Sequence, residues 1–449
     1  MIRFDFSGTD AFLDKGQWDG AVRRARAAHS AILSGTGSGN EWLGWRRILK
    51  QPNDALLEDI SLLGQEIAAN ADVLLCIGIG GSFLGSEAVI RALSPYFRPS
   101  PAAPDSHSTH DSQTASVSRA ATGQDKKPLE VLFAGHNLSS TYLSELLSSL
   151  EGKSVYVNVI SKSGTTLEPA VAFRIVRAWM ENQFADCDRR IIATTDTSKG
   201  GLRKLAAQKG YRTYAIPDDV GGRFSVLTPV GLLPIAAAGF DIRSLFYGAV
   251  AMMNELHEVE GNPAIEYALR RYALHEAGYA TEILSVFEPK LAGMSAWWQQ
   301  LFGESEGKEG RGIFPAVCTF TTDLHSLGQY IQSGRRNLIE TFLVSEKDRL
   351  SLVVPPDNDN LDGLNYLTGQ TLKHINQAAY DGTTKAHSLG GVPTQHISLS
   401  TINEETLGQL VYFFEHAVSV GGYLLGVNPF DQPGVEAYKQ EMFSLLGKK

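Results

Sequence analysis

Three short segments of the chain combine glycine with hydroxyl or cationic side chains, the groups that commonly bind phosphate. They are Gly78-Ile-Gly-Gly-Ser82, Ser161-Lys-Ser-Gly-Thr-Thr166 and Val220-Gly-Gly-Arg-Phe-Ser225. Glycine lets the backbone approach a ligand closely, and the N–H groups that begin a following helix favour an anion. Lys162 adds positive charge, and the guanidinium of Arg223, next to two glycines, suits an oxyanion. The segments predict a site for a phosphorylated small molecule.

The first segment fits neither of the common nucleotide-binding fingerprints. A dinucleotide-binding loop needs glycine at the position of Phe83, and an NTPase phosphate loop needs lysine after Gly85. A sugar phosphate is therefore the expected ligand. Plainer interpretations stay open: a structural turn for the first segment, an N-cap with extra serines for the second, and a structural ion pair for Arg223.

Three further residues could transfer protons. Glu304 follows the pair Trp297-Trp298, and a carboxylate at the end of an aromatic-rich helix is partly desolvated, which favours a general base. His325 precedes a helix among polar residues, and Lys439 lies on the last predicted helix. Each also fits a plainer role: Glu304 in a solvated acidic turn, His325 as a capping or core histidine, and Lys439 as a solvated lysine.

The elements that position these groups are predicted from apolar runs. Short apolar runs indicate strands buried on both faces, and each is followed by a helical segment. These runs are at 73–78, 129–134, 155–160 and 190–194. Strands that alternate with helices predict a parallel sheet covered by helices. The pattern loosens after residue 210, and further strands are predicted at 282–287, 312–319, 338–343, 350–354 and 394–399.

We therefore predict an α/β protein with three segments. These are a helical arm at 1–70, a first α/β domain at 71–215, and a second α/β domain at 216–449 that ends in two helices. The Ser/Thr/Pro-rich stretch at 98–128 is predicted to be a surface loop.

Composition narrows the functional classes. The 449-residue chain is 43% hydrophobic and 20% charged, as globular proteins are. Its net charge of -9 argues against a nucleic-acid partner. Three cysteines far apart rule out a disulfide scaffold and indicate a reducing compartment. Because neither a signal peptide nor a spanning apolar run is recognised, we expect a cytoplasmic protein without a membrane partner.

Together these motifs resemble the glucose-6-phosphate isomerase (phosphoglucose isomerase) family of bacterial type. The resemblance rests on the three segments above, on Gly303-Glu-Ser305 with Gly307-Lys308, and on Phe430-Asp-Gln-Pro-Gly-Val-Glu436 with Lys439. It covers almost the whole chain after about residue 72. It implies two sugar-isomerase domains, each a parallel sheet flanked by helices. It also implies reversible conversion of glucose 6-phosphate and fructose 6-phosphate, without metal or organic cofactor.

The resemblance also implies residue roles. Glu304 would move a proton between C2 and C1 through a cis-enediol, and Arg223 would stabilise the enediolate oxygen. His325 and Lys439 would assist ring opening, with His325 supplied by the partner chain of an obligate homodimer. The implied substrate-binding residues are Ser82, Ser161, Lys162, Ser163, Thr166, Gly222 and Gln300.

Two alternatives stay open at this point. One is a non-catalytic sugar-phosphate sensor, which would need the phosphate loops but not Glu304, His325 and Lys439 together. The other is an isomerase of broader specificity that acts on mannose 6-phosphate or an amino sugar phosphate.

Overall fold

Two five-stranded sheets form the framework of the protein in the computed structural model, which describes residues 1–97 and 128–447. The strands are β1 (Ile2–Asp5), β2 (Val73–Ile77), β3 (Glu130–Ala134), β4 (Val155–Ile160), β5 (Ile191–Thr195), β6 (Arg212–Ala215), β7 (Thr281–Val286), β8 (Phe314–Thr319), β9 (Leu338–Ser345) and β10 (Thr394–Leu399). The predicted loop at 98–128 lies outside the described residues except for its last position.

Helices cover and connect the sheets. They are α1 (Lys15–Ser34), α2 (Gly44–Lys50), α3 (Asp54–Asn70), α4 (Leu84–Leu93), α5 (Ser140–Ser149), α6 (Leu167–Gln183), α7 (Gly201–Lys209), α8 (Pro229–Ala237), α9 (Ile242–Glu255), α10 (Pro263–Glu276), α11 (Ala292–Glu306), α12 (Gly328–Ser333), α13 (Leu372–Leu389), α14 (Glu404–Leu425) and α15 (Gly434–Leu445). With parallel strands and helical connections, the predicted α/β class is confirmed.

The first sheet has the order β3-β2-β4-β5-β6, and all its strands are parallel. β2 and β5 are buried along their whole length, as continuous apolar runs predict. β6 was not predicted; it is a four-residue edge strand with only one buried residue. Short edge strands lack the two-sided burial that makes an apolar run visible in the sequence.

The second sheet has the order β1-β10-β9-β7-β8, and β1 runs antiparallel to β10. Two expectations were therefore wrong: residues 1–70 are not helical throughout, and the second sheet is not purely parallel. β1 pairs Ile2 with Leu399 at the far end of the chain. A four-residue strand carries too little pattern to be recognised without its distant partner.

A helical layer links the sheets. α14 starts at an Asn403–Thr406 capping box, ends at a left-handed Gly426, and is buried along nearly its whole length. It packs against α1, α9, α10 and α11, while α8 packs against α3 and α4. Neither α8 nor α9 was predicted from the sequence. The domain boundary at residue 215 stays a prediction.

The region after β9 also differs from expectation. Residues 350–354 form no sheet strand, and only an isolated bridge joins Val353 to Thr371. Leu350 and Leu352 are 82% and 68% exposed, so this apolar run is on the surface of the described chain instead of in a sheet. The helix α13 was not predicted from the sequence either. None of the helices within residues 1–97 and 128–447 is long and apolar enough to span a membrane.

Candidate active site

The first two phosphate-type segments lie side by side at one edge of the first sheet. β2 and β4 are adjacent parallel strands, and Ile77 pairs with Val159. The segments 78–82 and 161–166 follow these strands directly and lead into α4 and α6. Because both helices begin at this edge, their N-terminal N–H groups and dipoles favour an anion there.

The Gly222–Phe224 turn packs directly on the first segment. A Cβ added at Gly81 would lie 2.0 Å from the carbonyl oxygen of Gly222, and one at Gly80 would lie 2.8 Å from Nε2 of Gln300. Gly80 also has a φ of 57°. Only glycine therefore fits at these positions, and the close packing joins the Ser82 turn, the Arg223 turn and α11 into one site.

Two hydroxyls of the segment 161–166 already accept hydrogen bonds from within the segment. The Gly164 N–H donates to Ser161 Oγ over 3.0 Å, and the Thr165 N–H donates to Ser163 Oγ over 3.1 Å. Thr166 is the N-cap residue of α6, but its side chain makes no capping bond. The hydroxyls of Ser82 and Thr166 have no hydrogen-bond partner among the described residues, so both can donate to a ligand.

Lys162 is held against a neighbouring loop. Its ammonium donates to the carbonyl oxygen of Asp218 over 2.8 Å and lies 5.3 Å from the centre of the Trp42 ring. Its side chain is about one-third exposed. A phosphate in the 161–166 segment would compete with these contacts for the same charge.

Arg223 is the most constrained side chain of the site. Its guanidinium is 1% exposed. Nε donates to Ser305 Oγ over 2.8 Å, and Nη2 donates to the carbonyl oxygens of Pro429 and Asp431 over 2.7 and 3.0 Å. Nη1 is shared between Gln432 Oε1 at 3.0 Å and Glu304 Oε2 at 3.2 Å. Burial lowers the pKa of Arg223, and the charge of Glu304 opposes that shift.

Glu304 projects from the last turn of α11 beside this arginine. Its side chain is 28% exposed, and Oε1 accepts a 2.9 Å hydrogen bond from Nε2 of Gln300, one turn earlier on the same helix. One carboxylate is thus oriented from two sides while a face stays open to the solvent. The 3.2 Å contact to Arg223 is the longest that this guanidinium makes, so a substrate oxygen can replace it most easily.

Comparison with known proteins decides the family. The phosphoglucose isomerase family model matches residues 113–324 and 367–446. The glucose-6-phosphate isomerase of Alkaliphilus metalliredigens is 47% identical over 452 residues, which cover all of this chain and 96% of that protein. The protein of the same name from Heliobacterium modesticaldum is 51% identical, with 94% and 91% of the two chains covered. This chain belongs to the phosphoglucose isomerase family.

Solved structures of low sequence identity share the fold. A hypothetical protein from Thermus thermophilus aligns with a TM-score of 0.81 at 24% identity, over 99% of this chain and all of that one. A glucose-6-phosphate isomerase from Chlamydia trachomatis aligns with a TM-score of 0.70 at 20% identity, over 88% and 73% of the two chains. Both agree with the two-sheet architecture described above.

Two site residues expected from the phosphoglucose isomerase resemblance, His325 and Lys439, make no hydrogen bond to Arg223, Gln300 or Glu304 among the described residues. His325 is exposed in a one-turn 3-10 helix after β8, where the Thr319 N–H donates to Asp323 over 2.7 Å. Lys439 lies on α15, a helix without buried residues, and donates to Glu436 on the same helix over 2.7 Å. Within one chain, the structure therefore brings together Ser82, Gly222, Arg223, Gln300 and Glu304, with the 161–166 segment at the same sheet edge.

Several residues that shape the site were given no role by the sequence analysis. Ser305 and Gln432 hydrogen-bond to Arg223, and their polar side chains inside the matched motifs were an available signal. Lys308 is 7% exposed and pairs with Asp431 over 2.8 Å, so it fixes the turn that also receives Arg223. Burial lowers the pKa of Lys308, and Asp431 opposes that shift.

A buried cluster of charged side chains holds the C-terminal end of α11. Arg271 donates to both oxygens of Glu306 over 2.7 and 3.0 Å and also pairs with Glu282. All three side chains are at most 1% exposed. Desolvation raises the pKa of Glu306, and Arg271 opposes that shift. No local pattern in the sequence reveals this cluster, because its members come from different elements.

Proposed function

We propose that this protein interconverts glucose 6-phosphate and fructose 6-phosphate, the reaction expected from the names of its relatives. The observation that carries the proposal is the pairing of a part-exposed carboxylate, Glu304, with the buried guanidinium of Arg223. A proton alpha to a carbonyl is weakly acidic, so its removal needs a positioned base and a cation beside the forming oxyanion. The pair supplies both.

The proposed proton transfer uses Glu304 on the open-chain sugar. Its carboxylate removes the C2 proton, the C2 electron pair forms the C1–C2 double bond, and the negative charge moves to O1. Arg223 stabilises this enediolate. Return of the proton to C1, with protonation of O1 and loss of the O2 proton, gives the ketose. Gln300 holds the carboxylate during both steps.

The phosphate is proposed to bind at the carboxyl edge of β2 and β4. The hydroxyls of Ser82, Ser161, Ser163 and Thr166 and the ammonium of Lys162 would contact it, next to the N-termini of α4 and α6. His325 and Lys439 are proposed to open the sugar ring by proton transfer at the ring oxygen and the hydroxyl.

The placement of His325 supports a site shared between two chains. Gln299 on α11 donates to the Pro315 carbonyl oxygen over 2.9 Å, and a Cβ added at Gly303, next to Glu304, would lie 3.5 Å from Pro315 Cγ, so Glu304 lies near the amino end of β8. His325 follows the carboxyl end of that strand. The four residue steps from Pro315 to Thr319 span about 13 Å along β8, whereas a group that transfers a proton must contact the sugar directly or through one bridging water. We propose that His325 serves the Glu304 site of a second copy in a homodimer.

Complementation tests the shared site. Homodimers of Glu304→Gln and of His325→Ala should both be impaired. In a mixed dimer, the chain with intact Glu304 receives His325 from the other chain, so one complete site forms. Mixed dimers purified with two different tags should therefore recover about half of the wild-type activity. Recovery no greater than that of the two homodimers would contradict sharing.

A panel of hexose phosphates tests the reaction itself. We expect the purified protein to convert glucose 6-phosphate in a coupled assay, with mannose 6-phosphate and amino sugar phosphates as the comparison. Binding of the sugar phosphates without turnover would refute the isomerase proposal and leave a sensor. Turnover of the comparison sugars at similar rates would establish the broader specificity.

Two further features belong to the proposal. The division of the chain into 1–70, 71–215 and 216–449 is proposed with β1 reassigned to the second sheet. The free cysteines Cys76, Cys187 and Cys318 are buried, which suits a reducing compartment such as the cytoplasm.

A further inference from the structure

A cavity of about 350 Å³ lies between the end of α1 and the helix α2. Arg46, Arg47 and Lys50 line it, together with the carboxylates of Glu41 and Asp219. None of the residues assigned to the substrate lines this cavity. Its volume is within the range of about 300–1,000 Å³ that small-molecule sites occupy.

Arg46 is buried without a carboxylate partner among the described residues. The residue is only 4% exposed. Nε donates to the Tyr412 hydroxyl over 3.2 Å, and Nη1 donates to the Ile32 carbonyl oxygen over 2.6 Å. Both partners are neutral. Buried charges in proteins are normally paired with an opposite charge, because an isolated one is costly to desolvate.

The groups around Arg46 do not supply the missing negative charge. Its charge contributes to lowering the pKa values of Lys50, His29 and His416, which are cations or bases and supply no negative charge. Burial raises the pKa of its partner Tyr412, which favours the neutral phenol. Glu415 is the nearby acid of α14, but burial raises its pKa well above the usual value and favours its uncharged form.

The two carboxylates of the cavity wall do not neutralise the Arg46–Lys50 pair either. Asp219 accepts two 2.7 Å hydrogen bonds from Arg47, and this partner lowers its pKa. Glu41 is exposed at the rim. With Asp219 paired to Arg47, the described part of the chain leaves Arg46 and Lys50 without a carboxylate partner, against one exposed carboxylate, Glu41.

We propose that this cavity binds a small phosphate-bearing anion between Arg46 and Lys50. Such an anion would supply the counter-charge that the protein lacks, and the planar guanidinium of Arg46 suits phosphate oxygens. The site is separate from the 161–166 segment, where Lys162 faces Trp42 and Asp218 instead of the cavity.

Pyrophosphate binding to the full-length protein tests the proposal. Calorimetric titration at low ionic strength should detect two sites per chain, the cavity and the 161–166 segment. Lys50→Gln should weaken the cavity site about tenfold or more, because it removes a charge-assisted contact. Lys50 is exposed, so this substitution leaves the fold and the basal activity unchanged. Arg23→Gln is the matched control, since it removes one exposed positive charge from α1 outside the cavity.

Lys162→Ala separates this inference from the proposed function. It should weaken the other pyrophosphate site and leave the cavity site intact. The cavity proposal is supported if Lys50→Gln loses one pyrophosphate site while Arg23→Gln binds pyrophosphate as the wild type does. This holds whatever the result for Lys162→Ala. Unchanged pyrophosphate binding by Lys50→Gln overturns it, even if the Lys162→Ala result upholds the substrate phosphate site.

Discussion

Two glutamates on the last turn of α11 provide a matched test of the proposed base. Glu304 is 28% exposed and contacts Arg223, whereas Glu306 is fully buried and paired with Arg271. They are two residues apart, so at 3.6 residues per turn they face opposite sides of the helix. We predict that Glu304→Gln removes catalysis but not stability, and that Glu306→Gln does the reverse.

The sizes of these effects follow from the contacts. In Glu304→Gln, the new amide can still accept from Arg223, but it cannot take a proton, so kcat should fall by about 10²–10⁴. The free energy of unfolding should change by about 1 kcal/mol or less, the worth of a part-exposed ion pair. In Glu306→Gln, a buried charged acceptor of Arg271 is lost, which should cost about 1–3 kcal/mol of stability.

Initial isomerase rates and urea unfolding, measured on the same preparations, check both expectations. Glu304→Gln should keep its affinity for the sugar phosphate, and Glu306→Gln should keep kcat within about tenfold of the wild type under conditions where it is folded. If Glu304→Gln turns over at nearly the wild-type rate, Glu304 is not the base. If fully folded Glu306→Gln loses as much kcat as Glu304→Gln does, the prediction that the two sides of α11 have different roles is wrong.

Three other substitutions test different parts of the structure. Arg223→Lys keeps the positive charge, but a lysine ammonium cannot reach all the acceptors of the guanidinium. Steady-state kinetics should therefore show kcat lower by about 10²–10³, with a smaller change in KM. His325→Ala should slow cyclic substrates more than open-chain ones, and equal loss on both in a comparative rate assay would rule out a ring-opening role. Glu415→Gln should raise the free energy of unfolding at pH 8. Burial raises the pKa of Glu415 in the folded chain. Between the ordinary pKa and this raised pKa, the folded chain therefore holds a proton that the unfolded chain has lost. The free energy of unfolding then falls by about 1.4 kcal/mol for each unit of rising pH until the pKa of the folded state is reached. Urea unfolding at several pH values should show this slope in the wild type and a flatter one in Glu415→Gln.

Features encoded by consecutive residues were predictable from the sequence. The glycine segment at 78–82 follows a buried strand and precedes a helix, and the structure has this order. The same holds for 161–166. These loops depend on local backbone chemistry, glycine at a positive φ and hydroxyls at a helix start, which neighbouring residues specify.

Features that depend on distant partners were not predictable in the same way. Gly81 must be glycine because of the carbonyl oxygen of Gly222, and the sequence shows the glycine but not its reason. β1 is recognisable only once β10 lies beside it. The sequence around Arg46 gives no sign that it is buried with no carboxylate partner in residues 1–97 and 128–447, because its neighbours come from α1 and α14.

The 428–432 turn contacts both Arg223 and Lys308, the residue that follows the end of α11. Arg223 donates to the carbonyl oxygens of Pro429 and Asp431, and Lys308 pairs with the Asp431 carboxylate. The turn is thus fixed both by Arg223, the proposed stabiliser of the enediolate, and by Lys308, which follows the helix that carries the proposed base Glu304. α15 starts immediately after it, yet none of its residues is buried in the chain. The start of α15 is therefore set by the contacts of Arg223 and Lys308, whereas the hydrogen bond that Lys439 makes further along is to Glu436 of α15 itself.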